Sequence, residues 1–198
     1  MNDLNIVATA REKIGKNANR RLRAKGIIPA VFYRSGGESK AVQVNEAELN
    51  KLYVKAGRTS LFNLELEDGG KKTTYPCLIW DAEYYPTKKR FQHVDFYGVD
   101  LEKELKIRVP LEFVGTAKGT KLGGKLEVFR EQIYIMSKPA SLPKKIVVEI
   151  ADLDVGQGLR VADLTMPEGV HAHYESNFAI LSVTMPGAEK DSDGNDEE

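Results

Sequence analysis

The sequence predicts a mainly-β protein with a few short helices, arranged as two domains and an acidic tail. Three observations carry that expectation. Through most of the chain, apolar residues alternate with polar ones at a period of two, as in strands with one buried face. Only two segments have helical spacing with recognisable ends. Charge is also segregated. Residues 1–98 hold 17 Lys+Arg against 11 Asp+Glu and residues 99–198 hold 12 against 18, although the 198-residue chain has no formal net charge.

The strands follow in order. LNIVATA (4–10), AVFY (30–33) and KAVQVN (40–45) are short and rich in β-branched or aromatic residues. LFNLELED sets Leu61, Leu64 and Leu66 among polar residues before an Asp68-Gly69-Gly70 turn, and TTYPCLIWDAEYY returns as the second arm of a hairpin. ELKIRVPLEFVG, KLEVFREQIYIM and KKIVVEI alternate in the same way, and FAILSVTMP (178–186) reads as a last buried strand.

Two helices are predicted. In ANRRLRAKG, Asn17 or Asn19 is positioned to cap and Gly26 to end the helix in a left-handed turn. In NEAELNKLYVKAG, Asn45 caps, Glu48 occupies the capping-box position and Gly57 terminates. Leu49, Leu52, Tyr53 and Ala56 should then face a core. A boundary is expected near residues 97–100, giving domains at 1–97 and 98–186. The tail, 187–198 (GAEKDSDGNDEE), has six acids and one lysine and too little apolar area to offset its chain entropy, so it should be disordered.

Composition excludes several classes. Apolar residues make up 41% of the chain, but no apolar run approaches the ~18 residues of a membrane span. The N-terminus lacks a signal-peptide layout. A single cysteine, Cys77, rules out an internal disulfide framework and suits a reducing, cytosolic compartment.

Residues 11–25, REKIGKNANRRLRAK, concentrate seven basic residues against one acid, Glu12. Such segregation marks a surface built for a polyanion. On a helix Arg20 and Arg23 share a face, with Arg11 and Lys16 preceding them in a glycine-containing loop. Arginine forks match phosphate oxygens bidentately and also reach base edges. The plainer alternative is a solvated charged face balanced from across the fold, yet the rest of residues 1–98 carries no excess acid to balance it.

His93 and Asp95, two apart in FQHVDFY, share one face of a strand. Three roles are open to them: part of a hydrolytic triad, a donor–acceptor pair for bases or ribose, or a structural hydrogen bond. No nucleophile accompanies them, because Cys77 lies in an apolar strand and no GxSxG elbow exists. Gly119, Gly124 and Lys125 meet the spacing of a phosphate-binding loop, but Leu126 stands where a serine or threonine should, and a strand follows. A flexible glycine-lysine hairpin loop, touching RNA or a neighbouring protein, is expected there instead. His171 and His173 have no cluster to complete a metal site and are expected in a loop. Glu65 and Glu67 have the spacing of solvent-facing strand residues, not of a catalytic pair. No metal or cofactor is predicted.

The run R-x-x-x-G-K-x-x-x-R-R-L-R-x-x-G-x-I-P-A-V-x-Y, from Arg11 to Tyr33, is followed sixty residues later by H-V-D-F at 93–96. Together they resemble the bacterial large-subunit ribosomal protein family that binds 5S ribosomal RNA. The second half resembles the extra domain of its longer members, general stress protein CTC: G-T-A-K-G…G-G (115–124), L-P-x-x-I-x-V-E-I (142–150), Asp152-Leu153 and V-A-D-L (161–164).

The resemblance implies an N-terminal six-stranded-type β-barrel with short helices that sits on an internal-loop region of 5S rRNA and reads its minor groove. A second, β-rich domain follows. It also implies an RNA-contacting set of Arg11, Lys16, Asn19, Arg20, Arg23, Tyr33, His93 and Asp95, in which His93 and Asp95 are groove contacts and not triad members. Minor-groove readout suits RNA, whose major groove is too narrow to enter. The implied role is structural and non-enzymatic, with 5S rRNA and other large-subunit proteins and rRNA as partners, and a cytoplasmic monomer off the ribosome. The alternatives are a stress-response protein whose second domain binds a protein partner and whose RNA contact is regulatory, and a hydrolase using His93 and Asp95. The chain departs from the family pattern at Arg34, where glycine is usual, and in IYIMSKPASLP, where a cysteine is more common.

Overall fold

A computed structural model describes residues 4–34, 36–37, 39–88 and 90–185. The acidic tail lies outside the described residues, so the expectation made for it is not addressed. Six strands, β1 (Asn5–Ala10), β2 (Ile27–Arg34), β3 (Ser39–Asn45), β4 (Phe62–Asp68), β5 (Lys71–Tyr84) and β6 (Phe91–Gly98), close into a barrel in the order β1-β3-β2-β6-β5-β4. Closure leaves no open sheet edge. The expected hairpin is present, with β4 and β5 antiparallel and Asp68 opposite Lys71.

Period-two alternation fills the barrel. Ile6 and Ala8, Ile28 and Phe32, Val42 and Val44, and Val94 and Phe96 all point into one apolar cluster. In β4 it is Phe62, Leu64 and Leu66 that point inward, while Leu61 lies just before the strand and packs against a different core. β5 has a bulge between Ile79 and Asp81. The extra residue, Trp80, resets the alternation so that Ala82 packs inward and Asp81 stands beside Asp95 on the outside.

Cys77 is fully buried in this barrel, and burial pushes its thiol up to about 12. Iodoacetamide at about pH 8 should therefore leave the folded protein unmodified and alkylate it only after denaturation. Modification of the native chain at the rate of the denatured one would contradict this packing.

Helix α2 (Glu46–Ala56) forms as its ends predict. Asn45 Oδ1 accepts from the backbone N–H of Ala47 at 2.9 Å and of Glu48 at 3.4 Å, and Leu49, Leu52 and Ala56 are buried. Helix α1 (Lys16–Ala24) starts differently. Neither Asn17 nor Asn19 caps it; the cap is Gly15 at φ +115°, a conformation that L side chains rarely adopt. The helix ends as expected at Gly26, φ +73°. None of its residues is fully buried, and it lies against β2.

The second half contributes β7 (Leu105–Val114), α3 (Lys118–Lys121), β8 (Lys125–Val128), β9 (Gln132–Ser137), β10 (Ile146–Glu149), β11 (Gly158–Arg160), β12 (Val170–Ala172) and β13 (Ala179–Thr184). They form a four-stranded sheet, β10-β7-β9-β12, and a three-stranded sheet, β11-β13-β8. KLEVFREQIYIM is therefore not one strand but two, β8 and β9, in different sheets. His171 lies within a strand, β12, rather than in a loop.

Residues 115–125 are not an open hairpin loop either. α3 interrupts them, and Gly119 is buried so tightly that a methyl group there would lie 2.6 Å from Val155 N. These glycines serve close backbone approach, which accounts for their spacing without a phosphate. The second core gathers Val109, Ile135, Val148, Ile180 and Leu181, and Leu78 of β5 joins it from the barrel side. Thr59 adds a polar tie across the same junction, its hydroxyl donating to Lys144 O at 3.3 Å.

Candidate nucleic-acid interface

The basic segment and the His93 strand meet on one outer face of the barrel. Lys16, Asn19, Arg20 and Arg23 follow one another at helical i, i+3, i+4 and i+7 spacing, so they form a single stripe along α1. The half-buried Ala18 and Leu22 lie off that stripe. Arg11 ties the stripe to the sheet. Its Nε donates to Val42 O at 2.9 Å and its Nη1 to Asn19 Oδ1 at 2.5 Å. Arg23 ties it to β6, donating through Nε to Gln92 O at 2.9 Å, next to His93. Each arginine thus spends Nε on anchorage; Arg11 spends Nη1 as well, which leaves its Nη2 and both terminal nitrogens of Arg23 outside these contacts.

Electrostatics leave this stripe cationic. Burial, and then the neighbouring Arg23 charge, hold the Arg11 guanidinium below its ordinary value. No acid is paired with Arg11, Lys16, Arg20 or Arg23 among the described residues. The nearest ion pair is a strap, Arg90 to Glu46, in which Arg90 Nη2 also donates to Arg23 O at 3.0 Å. Arg21 and Lys13 line a groove with Glu67 and Asp68, which Arg11 also borders.

His93 and Asp95 share a face as their spacing requires, with Val94 and Phe96 buried between and beyond them. His93 Nδ1 and Asp95 Oδ1 are 3.0 Å apart, and both side chains are partly exposed. Desolvation raises the Asp95 carboxyl above the usual range; His93 opposes this, while Asp81 and Glu83 on the adjacent β5 add to it. Tyr33 lies on β2, in register with Tyr97 of β6, their rings 5.4 Å apart. Burial, and then Asp95, push its hydroxyl well above the ordinary phenol range, so it stays a neutral donor. Arg23, Gln92, His93, Asp95 and Tyr33 therefore make one continuous strip.

Three contributors were not foreseen from sequence: the Gln92 carbonyl, the Arg90–Glu46 strap, and Trp80, whose ring lies 5.2 Å from that of Tyr97. Only Trp80 left a signal, as the single tryptophan in the chain at an outward strand position. No group of three His, Cys, Asp or Glu among the described residues could hold a metal ion, so His171 and His173 remain without partners for one. No described helix is long and apolar enough to cross a membrane.

Comparison with known proteins decides the family. Residues 6–96 match the Ribosomal L25p family, and residues 104–187 match the C-terminal domain of ribosomal protein TL5. The large ribosomal subunit protein bL25 of Nitratidesulfovibrio vulgaris is 55% identical over 179 residues, covering 90% of this chain and 94% of that one. The chain belongs to the ribosomal L25p family. Within it, the bL25 of Lawsonia intracellularis is 50% identical over 182 residues, 92% of each chain. That of Syntrophotalea carbinolica is 34% identical over 193 residues, 97% of this chain and 91% of the other. Coverage of both halves makes this the long, CTC-type form of L25p. L25p proteins are structural and not enzymatic, which removes the hydrolytic reading of His93 and Asp95.

Proposed function

We propose that this L25p protein is a structural constituent of the large ribosomal subunit that binds 5S rRNA through the outer face of its barrel. The observation that carries the reading is the tying of α1 to the barrel by side-chain hydrogen bonds: Arg11 links Asn19 to Val42 O on β3, and Arg23 reaches Gln92 O on the His93 strand. Residues far apart in sequence become one preorganised, cation-rich strip beside a donor–acceptor pair. In this reading Arg11, Lys16, Arg20 and Arg23 neutralise phosphates and set position, while Asn19, Tyr33, His93 and Asp95 reach ribose hydroxyls and base edges in the wide minor groove. Residues 1–97 act as the RNA-binding unit and 98–186 as a second domain. Off the cytoplasmic ribosome the protein is a monomer.

Titration of the full chain with a 5S rRNA transcript tests this. Neutralising about four phosphates should give a log–log salt slope on the order of −3 to −4. Arg20→Ala combined with Arg23→Ala should weaken binding at least about tenfold, the loss of two charge-assisted contacts. Unchanged affinity in the double variant would sink the site assignment, and no binding of the transcript by the wild type would sink the reading itself.

A further inference from the structure

The chain carries a second cation-rich surface, which adjoins the strip just described at Tyr33 and Asp95. A cleft of about 370 Å³ opens where the barrel meets the second sheet. Tyr33, Trp80 and Asp95 line it from the barrel, and Lys106, Arg108 and Tyr134 from β7 and β9. Alternation along β7 buries Ile107 and turns Lys106 and Arg108 outward. Arg108 is paired in register with Tyr134. Both cations gather on that ring, Lys106 Nζ 4.8 Å and Arg108 Cζ 4.7 Å from its centroid. Such contacts hold the charges in place without neutralising them.

Of the two acids that line the cleft, Asp81 pairs with Arg58 and Asp95 lies 3.0 Å from His93. Two flat rings face outward, Trp80 at 40% and Tyr134 at 38% exposure. Arg108 and Tyr134 also line a second groove, of about 580 Å³, that leads on to Arg130, His173 and Glu131. Arg130 lies over the Phe178 ring at 5.8 Å. Unneutralised cations interleaved with exposed aromatic faces along a groove are what a single nucleic-acid strand requires. Its phosphates track the charges, and its bases stack on the rings whatever their sequence.

We infer that this cleft binds a single-stranded or splayed RNA segment, with Lys106 and Arg108 on its phosphates and Tyr134 stacked on a base. The inference deepens the reading above and rests on it in one respect: the cleft begins at Tyr33 and Asp95, so the strand runs on from RNA held by the barrel. Charge complementarity and that continuity select RNA over a protein partner.

The test uses the full chain with two probes, a fluorescein-labelled 15-mer of oligouridylate and a 5S rRNA transcript. Lys106→Ala with Arg108→Ala should weaken oligouridylate binding at least about tenfold and flatten its log–log salt slope by about 1.4, as two lost single-strand phosphate contacts require. Tyr134→Ala should cost about tenfold, whereas Tyr134→Phe, which keeps the ring, should bind like wild type. Arg20→Ala with Arg23→Ala should leave oligouridylate affinity within about threefold while losing 5S rRNA. Equal oligouridylate affinity in the Lys106/Arg108 and Tyr134→Ala variants, with native melting curves, overturns the inference. So does the case in which those variants bind both RNAs normally but no longer enter large subunits, because the surface then meets a protein. If the wild type ignores the transcript while oligouridylate responds as stated, the barrel reading fails and the cleft stands as an independent RNA site.

Discussion

Replacing Arg11 by alanine is expected to weaken binding of the full chain to 5S rRNA by about a hundredfold, close to 2.8 kcal/mol. The expectation exceeds that for the exposed Arg20 because Arg11 does two things at once. Its guanidinium anchors α1 to β3 through Val42 O and holds Asn19 in place. It is also a cation whose charge is disfavoured by burial and then by the nearby Arg23, a cost that an RNA phosphate would relieve. Loss of Arg11 therefore removes a contact and loosens the stripe that carries the others. Stability should fall less, by on the order of 1 kcal/mol, because the lost charge-assisted bonds are offset by relief of a partly desolvated cation. Arg11→Lys separates the roles. It restores charge and salt slope but lacks the fork that bridges Val42 and Asn19, so most of the affinity should stay lost. A lysine variant that binds like wild type would reduce Arg11 to a point charge, and an alanine variant within threefold of wild type would remove it from the site.

The stripe on α1 shows how far sequence reasoning reaches. Helical spacing and local charge were enough to place Arg20 and Arg23 together, since both are consequences of a 3.6-residue period within one segment. Period two did the same for His93 and Asp95, and for the barrel positions Val94 and Phe96. Asn45 and Gly57 marked α2 because capping is local chemistry. What was not legible depends on contacts between distant segments. Asn19 looked like a cap, but its side chain is taken by Arg11 and the turn into α1 is made by Gly15. The bulge at Trp80 carries no glycine or proline to announce it, yet it decides that Asp81 faces Asp95. Gly119 and Gly124 matched a phosphate-loop spacing because close backbone packing and phosphate cradling both need a missing Cβ; only the neighbours, Val155 and Val183, tell the two apart. The cleft beside Tyr134 was invisible for the same reason, since β9 reaches it only through the ladder with β7.

Asp95→Asn should move stability and binding in opposite directions. Desolvation, followed by the charges of Asp81 and Glu83, raises the Asp95 carboxyl above its ordinary value, against the favourable pull of His93. A carboxyl raised in the folded state relative to the unfolded chain is ionised at a cost in the folded state. That cost is felt in full at pH values above the raised value. It is relieved as pH falls through that value toward the unfolded one, because the folded state then takes up the proton first. The asparagine variant never carries the cost. Its melting temperature should accordingly exceed that of wild type at pH 7, and the difference should shrink as the pH falls through the raised value and vanish below the ordinary aspartate value of about 3.9, where the group is protonated in folded and unfolded chains alike. Binding should go the other way. A carboxylate accepts hydrogen bonds from a ribose 2′-hydroxyl or a guanine amino group more strongly than an amide does, so 5S rRNA affinity should fall about tenfold in the same variant. The two measurements belong together. A destabilised variant would mean that the His93 contact outweighs desolvation, and a stabilised variant with unchanged affinity would leave Asp95 a structural acid with no part in the interface. Gain of stability with loss of affinity is the signature of a charge held at the surface for a partner, against the interest of the fold.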